Sequence, residues 1–175
     1  MSEVAPRDSI EQRFRTYVEE ANDLIFTLDT SGKITSANRA ACEVTGYTAG
    51  ELLGKMAIDF VAHETRASIR NALRRVTMGE ALERVEAEII SKDGRRICLE
   101  IRGRLIREGR RRVGTFYVAR DITKRKKVEE KLNALHRHAL RLSAASSIEE
   151  IVDWTLDAME FTLGFDEADF CTVEN

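Results

Sequence analysis

Three histidines, His63, His136 and His138, and three cysteines, Cys42, Cys98 and Cys171, have the widest chemical repertoire in this 175-residue chain. Nucleophilic or acid–base catalysis needs a base and its partner to converge in one pocket, and no spacing sets any of these histidines beside a candidate nucleophile. The cysteines are isolated, odd in number and far apart, which suggests neither a disulfide framework nor a CxxC metal site. No Gly-rich loop of the kind that cradles phosphates occurs. The sequence does offer an apolar set, Phe26, Leu28, Ile58, Phe60, Ile69, Leu73, Leu99, Phe116 and Tyr117, which reads either as plain core or as the lining of a ligand cavity between sheet and helices. Cys42 is expected to be a small core filler, and Cys98 to sit across its strand from Ile97 and Leu99. Arg107, Arg110, Arg111 and Arg112 are read as a solvated hairpin tip, the alternative being attraction of an anion or acidic partner.

Composition narrows the function classes. Twenty-eight Lys and Arg against 30 Asp and Glu give a net charge of −2 on a chain that is 33% charged and 43% hydrophobic. Such a chain can bury a core, so disorder and collagen-like classes are excluded. The basic excess that usually accompanies nucleic-acid binding is missing, and no nucleic-acid partner is expected. One proline and ten glycines are few interruptions, which favours long helices and strands. No run approaches the roughly 18 apolar residues of a membrane span, and the opening MSEVAPRDSIEQRFR lacks the apolar stretch of a signal peptide. A cytoplasmic, reduced setting without direct membrane insertion by this segment is expected, whether or not a longer parent is anchored elsewhere.

These residues must be positioned by elements whose periods are legible. Ile10, Phe14, Tyr17, Val18 and Ala21 recur at helical spacing, predicting an amphipathic helix within 1–22. Leu24–Leu28 and Lys33–Ala37 flank a Gly32 turn and read as a hairpin. Thr48 and Glu51 have capping-box spacing, and Gly54 ends that short helix. A longer helix is predicted from Glu64 to Met78, stopped by Gly79. Then Val85, Ala87 and Ile89, and after a Lys92–Arg95 turn Ile97, Leu99 and Ile101, alternate with polar neighbours. A basic turn from Arg107 to Arg112 leads to a last strand, Val113–Arg120. Two strands, several helices and three strands predict an α+β fold, a five-stranded antiparallel sheet with its helices on one face. Beyond it the period changes. Val128, Leu132, Leu135, Ala139 and Leu142 form a heptad-like stripe, a connector over 124–145 that would pair as a coiled coil or pack back on its own domain. Ser147 and Glu150 have capping-box spacing before a second apolar helix face of Ile148, Ile151, Val152, Met159 and Leu163, and Asp169–Val173 reads as a strand.

Residues 23–123 resemble a PAS sensor domain of the S-box type. The resemblance rests on Asp23-Leu24-Ile25, Asp29-x-x-Gly32-Lys33-Ile34, Asn38-Arg39-Ala40-Ala41, Gly46-Tyr47-Thr48-x-x-Glu51-Leu52-Leu53-Gly54-Lys55, Lys92-Asp93-Gly94-Arg95-Arg96 and the closing Arg120-Asp121-Ile122-Thr123. Any one of these is weak; in this order over about 100 residues they are specific. Residues 146–175 are similar to the truncated start of a GAF domain, on the weaker basis of Ser147–Ile151 and Leu163-Gly164-Phe165. Together the resemblances imply a sensory and dimerising module of a multidomain signalling protein of the sensor histidine kinase kind in a two-component system. They imply a homodimer paired through Phe14, Tyr17, Val128, Leu132, Leu135 and Leu142, with a downstream kinase or output domain in the parent chain. Asp121, Ile122 and Thr123 are implied to pass a signal from sheet to connector. The alternatives are a haem- or flavin-bearing redox or gas sensor, and the sensory part of a transcriptional regulator.

Chemistry known for the family is not matched residue by residue. The only proline is Pro6 and Arg137 follows His136, so no His-Glu…Pro phosphoacceptor motif occurs and no enzyme activity is expected of this segment. His63 falls earlier than a proximal haem ligand would, and Met56–Phe60 replaces the Asn-Cys-Arg of flavin-adduct photosensors. No metal and no haem or flavin is therefore expected, whereas an unidentified small ligand is. The purified chain is predicted to show neither a Soret nor a flavin band in its visible absorption spectrum; either band would contradict this reading.

Overall fold

Alternation along the strands gives the sheet a dry face and a wet one. The computed structural model describes residues 7–143 and 147–158. Its elements are α1 (Arg7–Glu19), β1 (Leu24–Leu28), β2 (Ile34–Ala37), α2 (Arg39–Thr45), α3 (Ala49–Leu52), a 3₁₀ turn (Ala57–Phe60), α4 (Arg66–Met78), β3 (Leu82–Ile90), β4 (Arg96–Glu108), β5 (Arg111–Asp121), α5 (Thr123–Ser143) and α6 (Ile148–Ala158). The chain forms two compact units, the first ending at Thr123 and the second beginning at Lys124. No helix among the described residues is long and apolar enough to cross a membrane.

In the first unit the five strands form one antiparallel sheet in the order β2-β1-β5-β4-β3, with the helices between β2 and β3 in chain order and packed on it. This is the predicted α+β architecture. Leu24 and Leu28 of β1, Ala87 and Ile89 of β3, Ile97, Leu99 and Ile101 of β4, and Tyr117 and Ala119 of β5 are buried on one side, where Ile69, Ala72 and Val76 of α4 meet them. Successive side chains on a strand point to opposite faces, so Glu88, Glu100 and Arg104 occupy the other side, with Arg84–Glu100 and Arg104–Glu83 ion pairs at 2.9 Å.

Three boundaries differ from the sequence reading. The first helix is Arg7–Glu19 rather than one reaching Ala21. The long helix starts at Arg66, because Ala62 N–H is taken by the Glu88 carbonyl of β3 and Thr65 and Arg66 N–H close a tight turn on the Ala62 and His63 carbonyls. The expected basic turn from Arg107 to Arg112 is only Gly109-Arg110, since Arg107 pairs with Arg112 and Glu108 with Arg111 in the β4–β5 ladder. The expected strand Asp169–Val173, together with Met159, Leu163 and Gly164, lies outside the described residues.

Local chemistry fixes the short elements. Glu51 accepts from the Thr48 backbone at 2.9 Å while Glu51 N–H donates to the Thr48 hydroxyl, the capping box of α3. Glu51 also meets Lys92 at 2.6 Å, and Lys92 together with the Thr48 bonds holds its carboxyl down at about 2. Asn38 does the most. It is 2% exposed; its Oδ1 accepts from Ile25 N–H at 2.9 Å and Ala41 N–H at 3.0 Å, and its Nδ2 donates to the carbonyls of Val18 and Asp23. One side chain thereby caps α2, pins the start of β1 and holds the end of α1. In the second unit Ser147 Oγ accepts from Glu150 N–H at 3.2 Å and starts α6.

Asn38→Ala removes a helix cap and leaves several buried backbone groups without partners, so it is expected to cost about 3 kcal/mol in urea unfolding with an unchanged m value. A loss below about 1 kcal/mol would show that these bonds do not organise the junction.

Candidate functional site

A cavity of about 90 Å³ lies between the sheet and the helices. Leaving such a volume empty costs on the order of 2 kcal/mol at about 24 cal/mol per Å³. Of the nine residues predicted to line an interior, Phe26, Phe60, Ile69, Leu73, Leu99 and Tyr117 meet around it. Leu28, Ile58 and Phe116 are not among its lining. Leu28 is buried at the far end of β1, beside Gly114, and Ile58 packs on the core from the 3₁₀ turn. Phe116 must be corrected on physical grounds: neighbours on a strand face opposite ways, so Tyr117 turns inward and Phe116 outward, level with Thr27 and Arg104. The sequence reading missed Ile34, Ala41, Thr45, Val61 and Ile89, which also form the wall. The alternation already identified through Ile89 could have supplied that residue; Val61 reaches the wall through an isolated bridge to Ile89 that carries no sequence signal.

Tyr117 dominates the interior. It is fully buried and stacks on Phe26 with ring centroids 5.2 Å apart and planes 16° from parallel. The ring lies over Gly103, its register partner on β4, where a Cβ would stand 2.5 Å from Cε1. Burial pushes the Tyr117 phenol up; the nearby Thr115 hydroxyl pulls the other way without reaching hydrogen-bond geometry. Both hydroxyls are thus buried and unpartnered within the described residues.

A second constellation stands where β5 passes into α5. Ile122 N–H donates to the Cys98 carbonyl at 2.8 Å, and Cys98 N–H donates to Thr123 Oγ1 at 2.9 Å. Asp121 Oδ1 accepts from Thr123 N–H at 2.8 Å, and Ile122 is 5% exposed. The start of α5 is therefore tied to β4 as well as to β5. Next to it, Arg120 holds Asp23 through two bonds, Nε to Oδ1 at 3.0 Å and Nη2 to Oδ2 at 2.9 Å, joining the end of β5 to the start of β1.

The remaining candidates are dispersed. His63 is exposed before α4, and His136 is exposed on α5. Cys42 is half-buried on α2, where burial, then Glu19 and Glu43, push its thiol up. Among the described residues, no group of three His, Cys, Asp or Glu side chains could hold a metal ion. Arg112 donates to the Thr77 carbonyl at the end of α4 at 3.0 Å, so one member of the basic tip serves as a helix C-cap. Phe14 and Tyr17 of α1 are 64% and 59% exposed, and Val128, Leu132 and Leu135 of α5 are 61%, 65% and 42% exposed. The Leu142 side chain lies outside those described.

A sequence model of the PAS fold matches residues 12–122, and the chain belongs to that family. It is 33% identical over 150 residues to the methyl sulfide methyltransferase-associated sensor of Methanosarcina acetivorans, covering 82% of this chain and 15% of that protein. Among solved structures, it resembles the PAS domain of a protein from Colwellia psychrerythraea at 21% identity and a TM-score of 0.61, covering 66% of this chain and 98% of that one. It also resembles a domain of the sensory box sensor histidine kinase/response regulator from Geobacter sulfurreducens at 27% identity and a TM-score of 0.56, covering 64% and 94%. The chain thus spans about 15% of the length of the first of these relatives.

Gly103→Ala would force the Tyr117 ring off β4 and is expected to cost about 1–3 kcal/mol with a changed near-UV circular dichroism signal. Gly50→Ala in α3, where nothing lies within 4 Å of an added Cβ, should be neutral or stabilising. Equal behaviour of the two variants would contradict the packing described for Tyr117.

Proposed function

We propose that this chain is the sensory and dimerising module of a multidomain signal-transduction protein of the sensor histidine kinase kind, the kinase or other output domain lying elsewhere in the parent. The observation that carries the reading is the β5–α5 junction. The first residue of α5 is hydrogen-bonded to the interior strand β4 through Cys98, so a change in the sheet has a direct path to the helix that leaves it. The family assignment and the sensor among the relatives support the same reading.

A small molecule in the cavity, or a partner at the domain, shifts the balance between two positions of the junction, and the helices carry that shift onward. Two copies of the chain pair through α1 and α5. Phe14, Tyr17, Leu132 and Leu135 are large apolar side chains left exposed in the single chain, and their burial against a second copy is favourable. No cofactor takes part, and residues 146–175 begin a GAF-like domain.

Asp121→Ala removes the cap at Thr123 and is expected to leave the fold intact while abolishing the stimulus-dependent response of the full-length parent. An unchanged response would refute the relay. Sedimentation of the 175-residue chain is expected to show a concentration-dependent dimer; a strict monomer at high concentration would refute the pairing.

A further inference from the structure

We propose that a second cleft, at the end of the sheet where β5 begins, binds a small organic carboxylate whose apolar body is about one ring in size and whose carboxylate is held by Arg112. This goes beyond the sensory reading and does not depend on it. The cleft encloses about 220 Å³ between the β1–β2 turn, the last turn of α4 and the hairpin end of β4 and β5, with Thr30, Thr77, Met78, Leu105 and Arg112 in its wall. It shares no wall residue with the interior cavity. The register explains the separation: the Tyr117 ring lies over Gly103, and Leu105 and Thr115 form the next pair along the same face of β4 and β5.

Charge selects the polar group of the ligand. Arg112 Nη1 donates to the Thr77 carbonyl at 3.0 Å, which fixes the guanidinium at the cleft and leaves its Nε–Nη2 edge available. That is the edge through which Arg120 holds Asp23, and a carboxylate accepts two parallel bonds from it. Arg75, Arg84, Arg96, Arg104 and Arg120 are each held by a carboxylate at 2.6 to 2.9 Å, whereas Arg112 is in no such pair among the described residues. Nor is Arg107, its register partner, whose Nη2 stands 3.3 Å from where a Cβ of Gly79 would lie, at the same helix end. The carbonyl end of α4 offsets about half a charge against these two guanidinium groups. No Asp or Glu is in the wall, and Asp29, next to Thr30, is committed to its own turn by the Ser31 and Lys33 N–H groups at 2.8 and 2.9 Å. Size and hydrophobicity select the rest of the ligand. Met78 is 62% exposed and Leu105 half-buried, so an apolar body covers surface that a hydrated inorganic anion would leave wet. A dry cavity of roughly 150 Å³ admits a benzene ring, so about 220 Å³ holds a ring together with its carboxylate.

Three probes separate these features when titrated into the 175-residue chain and followed by amide and methyl NMR: cyclohexanecarboxylate, its neutral counterpart cyclohexylmethanol, and N-acetyl-glutamate α-amide, which carries the acid of a peptide side chain without the ring. Cyclohexanecarboxylate is expected to give saturable shifts centred on Thr30, Met78, Leu105 and Arg112 that weaken with added salt. The other two probes are expected to bind about tenfold more weakly or worse. Arg112→Gln keeps a donor for the Thr77 carbonyl and is expected to weaken cyclohexanecarboxylate about tenfold while leaving cyclohexylmethanol unchanged. Met78→Ser, at an exposed position, is expected to weaken both. Equal affinity for the acid and the alcohol, or an Arg112→Gln chain that binds the acid as well as the parent does, would overturn the carboxylate assignment. Binding of N-acetyl-glutamate α-amide as tight as that of the ring acid would overturn the apolar body and make an acidic peptide the ligand. Shifts centred on Phe26, Leu99 and Tyr117 instead, or no saturable shifts with the ring acid, would overturn the cleft as a site. Should Arg112→Gln fail to fold, the acid–alcohol comparison and the salt dependence in the unmodified chain still decide.

Discussion

The packing of Tyr117 across Gly103 is the constraint around which the first unit is arranged. β5 is the middle strand of the sheet, and its inward side chain at this point is the largest fully buried one described. The ring fits because β4 presents hydrogen in place of a methyl group at Gly103, and it meets Phe26 on the other neighbouring strand. Three strands are thereby registered through one residue pair and one missing Cβ. The alternation that turns Tyr117 inward also turns Phe116, Val118 and Arg120 outward. The same strand therefore carries the cavity wall on one face and the Asp23 ion pair on the other.

From that strand the chain runs directly to its exit. Ile122 is buried and donates its N–H to the Cys98 carbonyl, and Thr123, the first residue of α5, accepts the Cys98 N–H of β4 at its hydroxyl. A few residues away, Asn38 joins the end of α1 to the start of β1, and Asp23 joins β1 to Arg120. The end of α1 is therefore fastened to β1 and Thr123 to β4, the two strands that flank β5. The Asp23–Arg120 pair is largely exposed and contributes little to stability; its two parallel bonds give orientation. The neutral, part-buried bonds at Asn38 and Cys98 are less exposed to screening by solvent than that ion pair.

Much of this was legible in the sequence. The period-two runs through Val85–Ile89 and Ile97–Ile101 identify strands and their buried faces, and Thr48-x-x-Glu51 identifies the cap that forms. What was not legible depends on tertiary partners. Phe116 and Tyr117 are adjacent aromatic residues, and composition alone cannot say which faces the core; the register with Phe26 and Gly103 decides it. Asn38 reads locally as an N-cap, but its bonds to Val18 and Asp23 span 20 and 15 residues. Likewise, Arg107–Arg112 looks like a turn because consecutive charges suggest one, whereas strand pairing persists to Glu108 and Arg111.

If the proposed relay operates, occupancy of the interior is felt where β5 becomes α5. Amide hydrogen exchange at Cys98, Ile122 and Thr123, measured with and without saturating phenol, tests it most directly. Protection of these three amides is expected to change on filling the cavity while the Ser91–Arg95 turn keeps its exchange rates. Unchanged exchange at all three amides with the cavity demonstrably filled would contradict it.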